Sequence, residues 1–281
     1  MPKVALVTDS TVDLADELRA KCDIHLIPLR VRLGQREYLD GEISGQEFYR
    51  QLQLAEGDII QTSQPTPLEF KQLYQKLFAS YTEIVSVHLS AALSGTVNAA
   101  KLAAADFAQR VHVIDSKTIS LGMGLLVVEI AQRIQAGASA SEILAQLTGI
   151  RQNVETLFTV NTLLYLQRGG RIGKVSGTLG SLLNVKPVIR VGEDGEYHSL
   201  AKARGQEKSL KIIADALHQY SKGSKNVKLA VAHGAAYEAG LYLKNLLEET
   251  FQLSVDIFTE VGPVIGVHTG PGTIGAAILL T

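Results

Sequence analysis

Short apolar runs alternate with helical patterns through the first half of this chain of 281 residues. Runs of strand type, rich in β-branched residues, are separated by amphipathic patterns with the period of a helix. In order along the chain the runs are 4–8, 24–33, 84–87 and 111–114, and the helical patterns are 13–21, 44–54, 68–79, 96–108 and 121–135. Strands that alternate with helices in this way form parallel sheets covered by helices on both faces. We therefore predict an α/β fold whose N-terminal domain has three layers, α/β/α.

The second half has a different rhythm. Two strand patterns, 188–191 and 197–201, flank the turn sequence Gly192–Gly195, which is typical of a β-hairpin. Further strand and helix patterns follow up to residue 280. A hairpin among βαβ units predicts a smaller, two-layer α/β domain with a mixed sheet. We place the N-terminal domain at residues 1–155 and the C-terminal domain at 156–281, with a ligand in the cleft between them.

Composition excludes several classes of protein. Hydrophobic residues make up 46% of the chain and charged residues 20%, so a large core is available and disorder is not expected. The net charge of −1 gives no electrostatic reason to expect nucleic-acid binding. Cys22 is the single cysteine, which excludes an intrachain disulfide and a cysteine-rich zinc site. We find no signal-peptide or membrane-span pattern and therefore expect a cytoplasmic protein.

The segment that follows the strand pattern at 84–87 suggests an anion-binding site. A small, polar turn containing Ser94, Gly95 and Thr96 separates this strand from an alanine-rich helical pattern. Hydroxyl groups and free backbone N–H groups therefore gather where a strand ends and a helix begins. Such positions favour negatively charged groups, because the first N–H groups of a helix lack partners and carry partial positive charge. An ordinary helix N-cap is the simpler interpretation of Ser94.

Other polar clusters also lie where predicted elements end, and each has a simple structural explanation. Helix starts, a solvated loop or a satisfied histidine would account for residues 61–67, 168–174 and 263–272. The pair Asp-Ser follows two strand patterns, at Asp9 and at Asp115, where capping of the next helix is again the simpler interpretation.

Common catalytic signatures are not matched. Val175 follows Gly173 and Lys174, so there is no phosphate-binding loop, and the glycines at 270–275 precede a strand pattern rather than a helix. The histidines show no metal-binding spacing, so we expect no metal ion.

Taken together, six short segments resemble the DegV family. They occur in the family's order and cover essentially the whole chain: 7–10, 61–65, 93–96, 169–172, 185–188 and 268–272. The resemblance implies a two-domain α/β fold that buries the chain of a fatty acid. It also implies a carrier rather than an enzyme: a separate, ATP-dependent fatty acid kinase phosphorylates the bound carboxylate to give an acyl phosphate. The resemblance implies no cofactor and no nucleic-acid partner, and it is compatible with brief contact between the protein and a membrane.

The family's binding residues carry over by position. Thr62 and Ser94 resemble the hydroxyl residues that hold the fatty-acid carboxylate, and His268 resembles the histidine that completes their hydrogen bonds. Gly95 would supply a backbone N–H near the carboxylate, and Arg171 resembles the family's arginine beside the head group. The sequence departs from many relatives at Ala91 and Ala92, and this leaves fewer hydroxyl groups near the expected carboxylate site.

An apolar tunnel must hold the tail of such a ligand. Its candidate lining residues lie near these motifs in the sequence, and ordinary core packing is the simpler role for each: Phe158, Leu163, Leu164, Leu179, Leu182, Leu183, Val264 and Ile265.

Two rival functions remain. A serine hydrolase would use Ser94 and His268 with Asp9 or Asp115. A site like that of dihydroxyacetone kinases, to which the family's fold is related, would use His268 to capture a small ketone in a pocket too small for an acyl chain.

Overall fold

The computed structural model describes residues 3–54, 60–178 and 185–281. It confirms an α/β architecture with one parallel and one mixed sheet. The strands are β1 (Val4–Asp9), β2 (Ile24–Ile27), β3 (Arg30–Leu33), β4 (Arg36–Leu39), β5 (Ile60–Ser63), β6 (Glu83–His88), β7 (Val111–Asp115), β8 (Val154–Thr159), β9 (Val185–Val191), β10 (Tyr197–Arg204), β11 (Val227–His233), β12 (Ile257–Glu260) and β13 (Ile274–Leu280).

Helices connect most of these strands. They are α1 (Asp16–Lys21), α2 (Gly45–Leu54), α3 (Pro67–Leu77), α4 (Thr96–Ala104), α5 (Ser120–Gln135), α6 (Ala140–Gln152), α7 (Leu164–Arg168), α8 (Gln206–Ser221), α9 (Tyr237–Phe251) and α10 (Pro263–Thr269). No helix in the described ranges combines the length and the apolar character that crossing a bilayer requires.

Four parallel strands form the sheet of the N-terminal half, in the order β2-β1-β6-β7. Every residue of β1 is buried, as expected for a central strand covered on both faces. The carboxyl ends of β1, β6 and β7 lie at the same edge, because β6 pairs in parallel with both neighbours. This edge is where ligands bind in open parallel sheets, and the turn with Ser94 follows it directly.

A small antiparallel sheet, which the sequence analysis did not identify, lies beside the parallel one. Its strand order is β4-β3-β5, and Val31 of β3 pairs with Thr62 of β5. Thr62 therefore belongs to a strand rather than to the turn before α3. Helix α3 itself starts with a capping box, in which the Thr66 hydroxyl and the Glu69 carboxylate bond each other's backbone N–H.

The mixed sheet of the second half has the order β10-β9-β8-β13-β11-β12. Strands β9 and β10 pair antiparallel across the predicted turn Gly192–Gly195, which confirms the hairpin. Helices α8 and α9 pack against this sheet, and α5 of the first half packs against strands β8, β11 and β13.

One large hydrophobic core joins the two halves. It includes Leu6 of the parallel sheet, Leu126 and Ile130 of α5, and Phe158 and Ala277 of the mixed sheet. Helix α5 therefore lies between the two sheets and contributes to the packing of both. The division near residue 155 stays a prediction; that residue lies within β8, in the mixed sheet.

Candidate ligand-binding site

Thr62 and His268 meet although 206 positions separate them in the sequence. The Thr62 Oγ1 atom lies 2.8 Å from His268 Nε2. Strand β5 positions the threonine. His268 lies near the end of α10, which starts with Gly262 as N-cap and Pro263 in its first turn. His268 was expected in a loop and lies on a helix.

Burial keeps His268 neutral. The pKa of this imidazole falls to about 4, chiefly because burial disfavours the charged form and to a smaller extent because Arg171 is positively charged. The Nδ1 atom is buried and has no hydrogen-bond partner within the described residues. A Cβ atom on Gly169 would lie 2.1 Å from Nδ1, so the absence of a side chain at Gly169 makes room for the ring.

Ser94 lies in the turn between β6 and α4. Its Oγ atom is 2.9 Å from Thr96 Oγ1 and accepts the Thr96 backbone N–H at 3.3 Å. Gly95 is the N-cap of α4, and a Cβ atom there would lie 2.3 Å from the Gln64 side chain. The backbone-amide role predicted for Gly95 stays a prediction, but its lack of a side chain makes room for Gln64.

Arg171 lies in the turn after α7 and is exposed to solvent. Its guanidinium donates to the backbone carbonyl of Leu93 at 3.3 Å and to that of Gly169 at 2.6 Å. No carboxylate of the described residues lies within ion-pair distance of it. Its charge is therefore positioned by neutral groups and is free to attract an anion.

These side chains share one cavity of about 260 Å³. Thr62, Ser94, Arg171 and His268 line it together, whereas Gly95 is not among its lining residues. The remaining lining residues are Leu29, Ser63, Gln64, Leu89, Leu93, Ile119, Tyr197, Val264, Ile265 and Thr269. The cavity is therefore lined both by polar side chains that can bind an anion and by apolar side chains.

A smaller apolar cavity of about 40 Å³ adjoins the first. The two share four lining residues, Ile119, Tyr197, Ile265 and Thr269. Apolar side chains from α5, β8 and the mixed sheet complete the smaller cavity, including Leu121, Phe158 and Ala276. Ile119 and Tyr197 were not predicted as lining residues from the sequence. Tyr197 starts the strand pattern after the predicted hairpin turn, and Ile119 directly precedes the helical pattern at 121–135, but neither position indicates a cavity.

Three of the predicted tunnel-lining residues line the two cavities. Val264 and Ile265 line the first cavity, and Phe158 and Ile265 line the second. The prediction is wrong for Leu164, which begins the short helix α7 and is 41% exposed. Leu163 packs against the main core instead of lining either cavity. Leu179, Leu182 and Leu183 lie outside the described residues.

The hydrolase arrangement is not formed in the part of the chain that the structure describes. His268 bonds Thr62, Ser94 bonds Thr96, and Asp9 bonds His88 with its Oδ2 atom 3.0 Å from Nδ1. The Nε2 atom of His88 in turn contacts a serine, Ser86, at 2.7 Å.

This Asp9–His88–Ser86 chain has the bonding order of a catalytic triad, but all three side chains are inaccessible to solvent. We interpret it as a buried polar network that joins β1 to β6.

Fold and site together define an α/β protein in which a cavity lined by hydroxyl groups, an imidazole and a guanidinium adjoins an apolar cavity. We call the part of the first cavity that is lined by Thr62, Ser94, Arg171 and His268 its mouth. The model of a family described as "Uncharacterised protein, DegV family" matches residues 3–281. A DegV domain-containing protein of Clostridium acetobutylicum is 37% identical over 281 residues, which cover 99% of each chain. The chain belongs to the DegV family.

Solved structures of the family are similar over their whole length. A DegV family protein from Thermus thermophilus, described as binding fatty acid, is 35% identical with a TM-score of 0.93, and the match covers 100% of each chain. DegV from Bacillus subtilis, described as a fatty acid binding protein, is 30% identical with a TM-score of 0.90 over 100% of each chain.

Proposed function

We propose that this protein binds a long-chain fatty acid and presents its carboxylate to a partner kinase, which phosphorylates it with ATP to give an acyl phosphate. The observation that carries the proposal is the 2.8 Å contact between Thr62 and His268 at the polar end of a cavity that continues into an apolar one. The descriptions of the family's solved structures support the same class of ligand.

The carboxylate would bind to Thr62, Ser94 and Arg171. The Nδ1 atom of His268 is buried, has no hydrogen-bond partner among the described residues and faces Gly169. Neutral His268 should therefore carry its proton on Nε2, because a buried N–H without a partner costs more free energy than a lone pair without one. His268 then donates to Thr62 Oγ1, and the threonine O–H is left to donate to the ligand. Ser94 offers a second hydroxyl, and Arg171 adds a nearby positive charge.

The tail would supply most of the affinity. Each buried methylene contributes about 0.8 kcal/mol, so roughly 14 methylenes give on the order of 11 kcal/mol before the costs of association. The residues shared by the two cavities, among them Ile119 and Ile265, mark the path from the carboxylate to the tail. Polar contacts then need only fix the orientation of the head group.

The exposed position of Arg171 supports presentation to a second protein. Small hydroxyl side chains hold a carboxylate without enclosing it, so one oxygen stays accessible to a phosphoryl donor. Arg171 lies at the mouth and is positioned by backbone carbonyls alone, so it is available to a transferring phosphoryl group or to an acidic surface of the kinase. The protein itself contributes binding and orientation in this scheme, and the kinase contributes ATP and catalysis.

The dihydroxyacetone-kinase rival is less well supported. It requires a pocket limited to a small ketone beside His268, whereas the cavity there adjoins a second, apolar one. A hydrolase would need hydrogen bonds from Ser94 to His268 and from His268 to an aspartate, and these side chains bond other partners.

Ligand binding is tested on the double variant Thr62→Val/Ser94→Ala. After removal of bound lipid, wild type should bind hexadecanoate, and the double variant should bind it at least tenfold more weakly, since a hydrogen bond to a charged group contributes about 1.5–3 kcal/mol. Thr259→Val, on β12 and outside both cavities, is the matched control and should bind as wild type does. Failure of delipidated wild type to bind any fatty acid from 14 to 18 carbons (roughly the tail length assumed above) would refute the proposal.

The kinase step has its own test. The loaded protein, the partner kinase and ATP should together form acyl phosphate, which hydroxylamine traps as a hydroxamate. Loaded protein and ATP without the kinase should form none. Hydroxamate formed without the kinase would show that this protein itself catalyses the phosphorylation, contrary to the proposal.

A further inference from the structure

A third cavity, of about 290 Å³, lies at the carboxyl end of β7, apart from the mouth with Thr62 and His268. It lies where the repeated Asp-Ser motif occurs for the second time, and the proposed function makes no use of this motif. The cavity is lined by residues of both halves: Ser116, Lys117, Thr118, Arg151, Gln152, Val154, Glu155, Thr156, Arg190, Val191, Gly192, Glu193 and Tyr220. The carboxyl end of a parallel strand is the usual ligand edge of such sheets.

The backbone at this edge adopts a conformation that is unfavourable for lysine. Lys117 has φ +56°, in the left-handed region that side chains other than glycine rarely adopt. The turn is held by the Asp115 carboxylate, which accepts the Lys117 N–H at 2.9 Å, and by the Ser116 hydroxyl, which accepts the Thr118 N–H at 3.2 Å. Backbone strain of this kind concentrates at functional sites. Lys117 is one of the residues that line the cavity.

The charged groups of the cavity are not balanced. Arg190 is paired with Glu155 through its Nε atom. Arg151 bonds only the backbone carbonyl of Asp115, at 3.3 Å, and has no carboxylate partner within the described residues. Lys117 lies 3.9 Å from the Asp115 carboxylate, at the outer limit of an ion pair. Two cationic groups therefore lack a close counter-ion, and Glu193 is the one other carboxylate among the lining residues.

We infer that this cavity binds the oxyanion of a small molecule, a phosphate or carboxylate group, with Lys117 and Arg151 as its principal ligands. Charge-assisted hydrogen bonds from lysine and arginine are the usual means of holding such groups. The volume lies at the lower end of the range of about 300–1,000 Å³ for small-molecule sites, which favours a small metabolite over a dinucleotide. Glu193 opposes the charge of such a ligand and limits its affinity.

Thermal unfolding of the full chain in inorganic phosphate or in succinate, at an ionic strength matched with sodium chloride, tests this inference. An anion that binds the folded state raises the unfolding midpoint in a saturable manner. We expect such a rise for phosphate or succinate with wild type, and the anion that produces it identifies the chemical class. Lys117→Gln/Arg151→Gln should weaken binding roughly tenfold or more. Glu193→Gln should strengthen it, because a like charge is removed.

Fatty-acid binding provides the check on folding, because Lys117 and Arg151 line neither of the two acyl cavities. The double variant should still bind hexadecanoate with the affinity of wild type, whichever way the anion experiment turns out. The inference is overturned if neither anion raises the midpoint above the chloride control. It is also overturned if the rise is the same in wild type and in the double variant.

Discussion

Asp13 provides a quantitative test of how the site is held together. This carboxyl group is buried; its Oδ1 atom accepts the backbone N–H of Gly262 at 2.9 Å, and its Oδ2 atom accepts the hydroxyl of Ser120. It thereby connects the start of α10, the helix that carries His268, to the start of α5. Burial raises its pKa from 3.8 to about 7, and the neighbouring carboxylates of Asp40 and Asp9 contribute in the same direction.

The sign of the pH effect follows from this change. The folded state holds the Asp13 proton more tightly than the unfolded state, so the stabilising contribution is complete below about pH 4 and is lost as the pH rises through about 7. A pKa change from 3.8 to about 7 corresponds to about 4 kcal/mol at 1.36 kcal/mol per pH unit. Asp13→Asn keeps the size and one acceptor oxygen but cannot ionise, so this pH dependence should disappear.

The assay is urea-induced unfolding of wild type and Asp13→Asn between pH 4.5 and 8. As the pH rises from 4.5 to 8, the free energy of unfolding of wild type should fall by about 3 kcal/mol relative to that of the variant. The reason is that only wild type must bury an ionised carboxylate at high pH. Asp16→Asn, at an exposed position of α1, is the control and should follow wild type at every pH. A difference between wild type and Asp13→Asn that stays constant from pH 4.5 to 8 would show that burial does not raise the pKa of Asp13.

Three further predictions concern the site and its supports. Gly169→Ala should displace the His268 ring and weaken hexadecanoate binding roughly tenfold. Gly149→Ala is the control and should bind normally, because a Cβ atom there meets nothing within 4 Å. Equal binding by the two variants in a titration would contradict the packing of Gly169 against His268. Ile265→Phe should narrow the junction of the two cavities and weaken hexadecanoate binding far more than octanoate binding, and a uniform loss in isothermal titration would place the tail elsewhere. Thr66→Ala removes the capping box of α3 and should cost about 1 kcal/mol of unfolding free energy in urea with unchanged fatty-acid binding; no loss of stability would show that the cap is dispensable.

The regular parts of the fold were predictable because local patterns determine them. Apolar β-branched runs predicted β1, β6 and β7, and the glycine-rich turn Gly192–Gly195 predicted the β9–β10 hairpin. The small antiparallel sheet was missed, since its three strands are short and β4 is partly exposed. Consequently Thr62 was expected at the start of a helix and lies in a strand.

The meeting of distant side chains was not predictable from spacing. Only the family resemblance indicated that Thr62, Ser94, Arg171 and His268 belong to one site, because nothing local relates β5 to α10. The structure places all four around one cavity. The buried carboxyl group of Asp13 gave no local signal either, since its environment is made by Gly262, 249 positions away.

The proposed function depends on a fatty-acid carboxylate that accepts a hydrogen bond from Thr62, whose hydroxyl group is held in position by His268. NMR of hexadecanoate labelled with ¹³C at the carboxyl carbon and bound to the delipidated protein tests it most directly. We expect one bound resonance, and its chemical shift should show that the carboxyl group stays ionised well below the normal carboxyl pKa of about 4–5. This resonance should move in Thr62→Val and in His268→Ala but not in Thr259→Val. If the bound carboxyl group titrates as in free fatty acid and its resonance is the same in all these proteins, the carboxylate does not bind at Thr62.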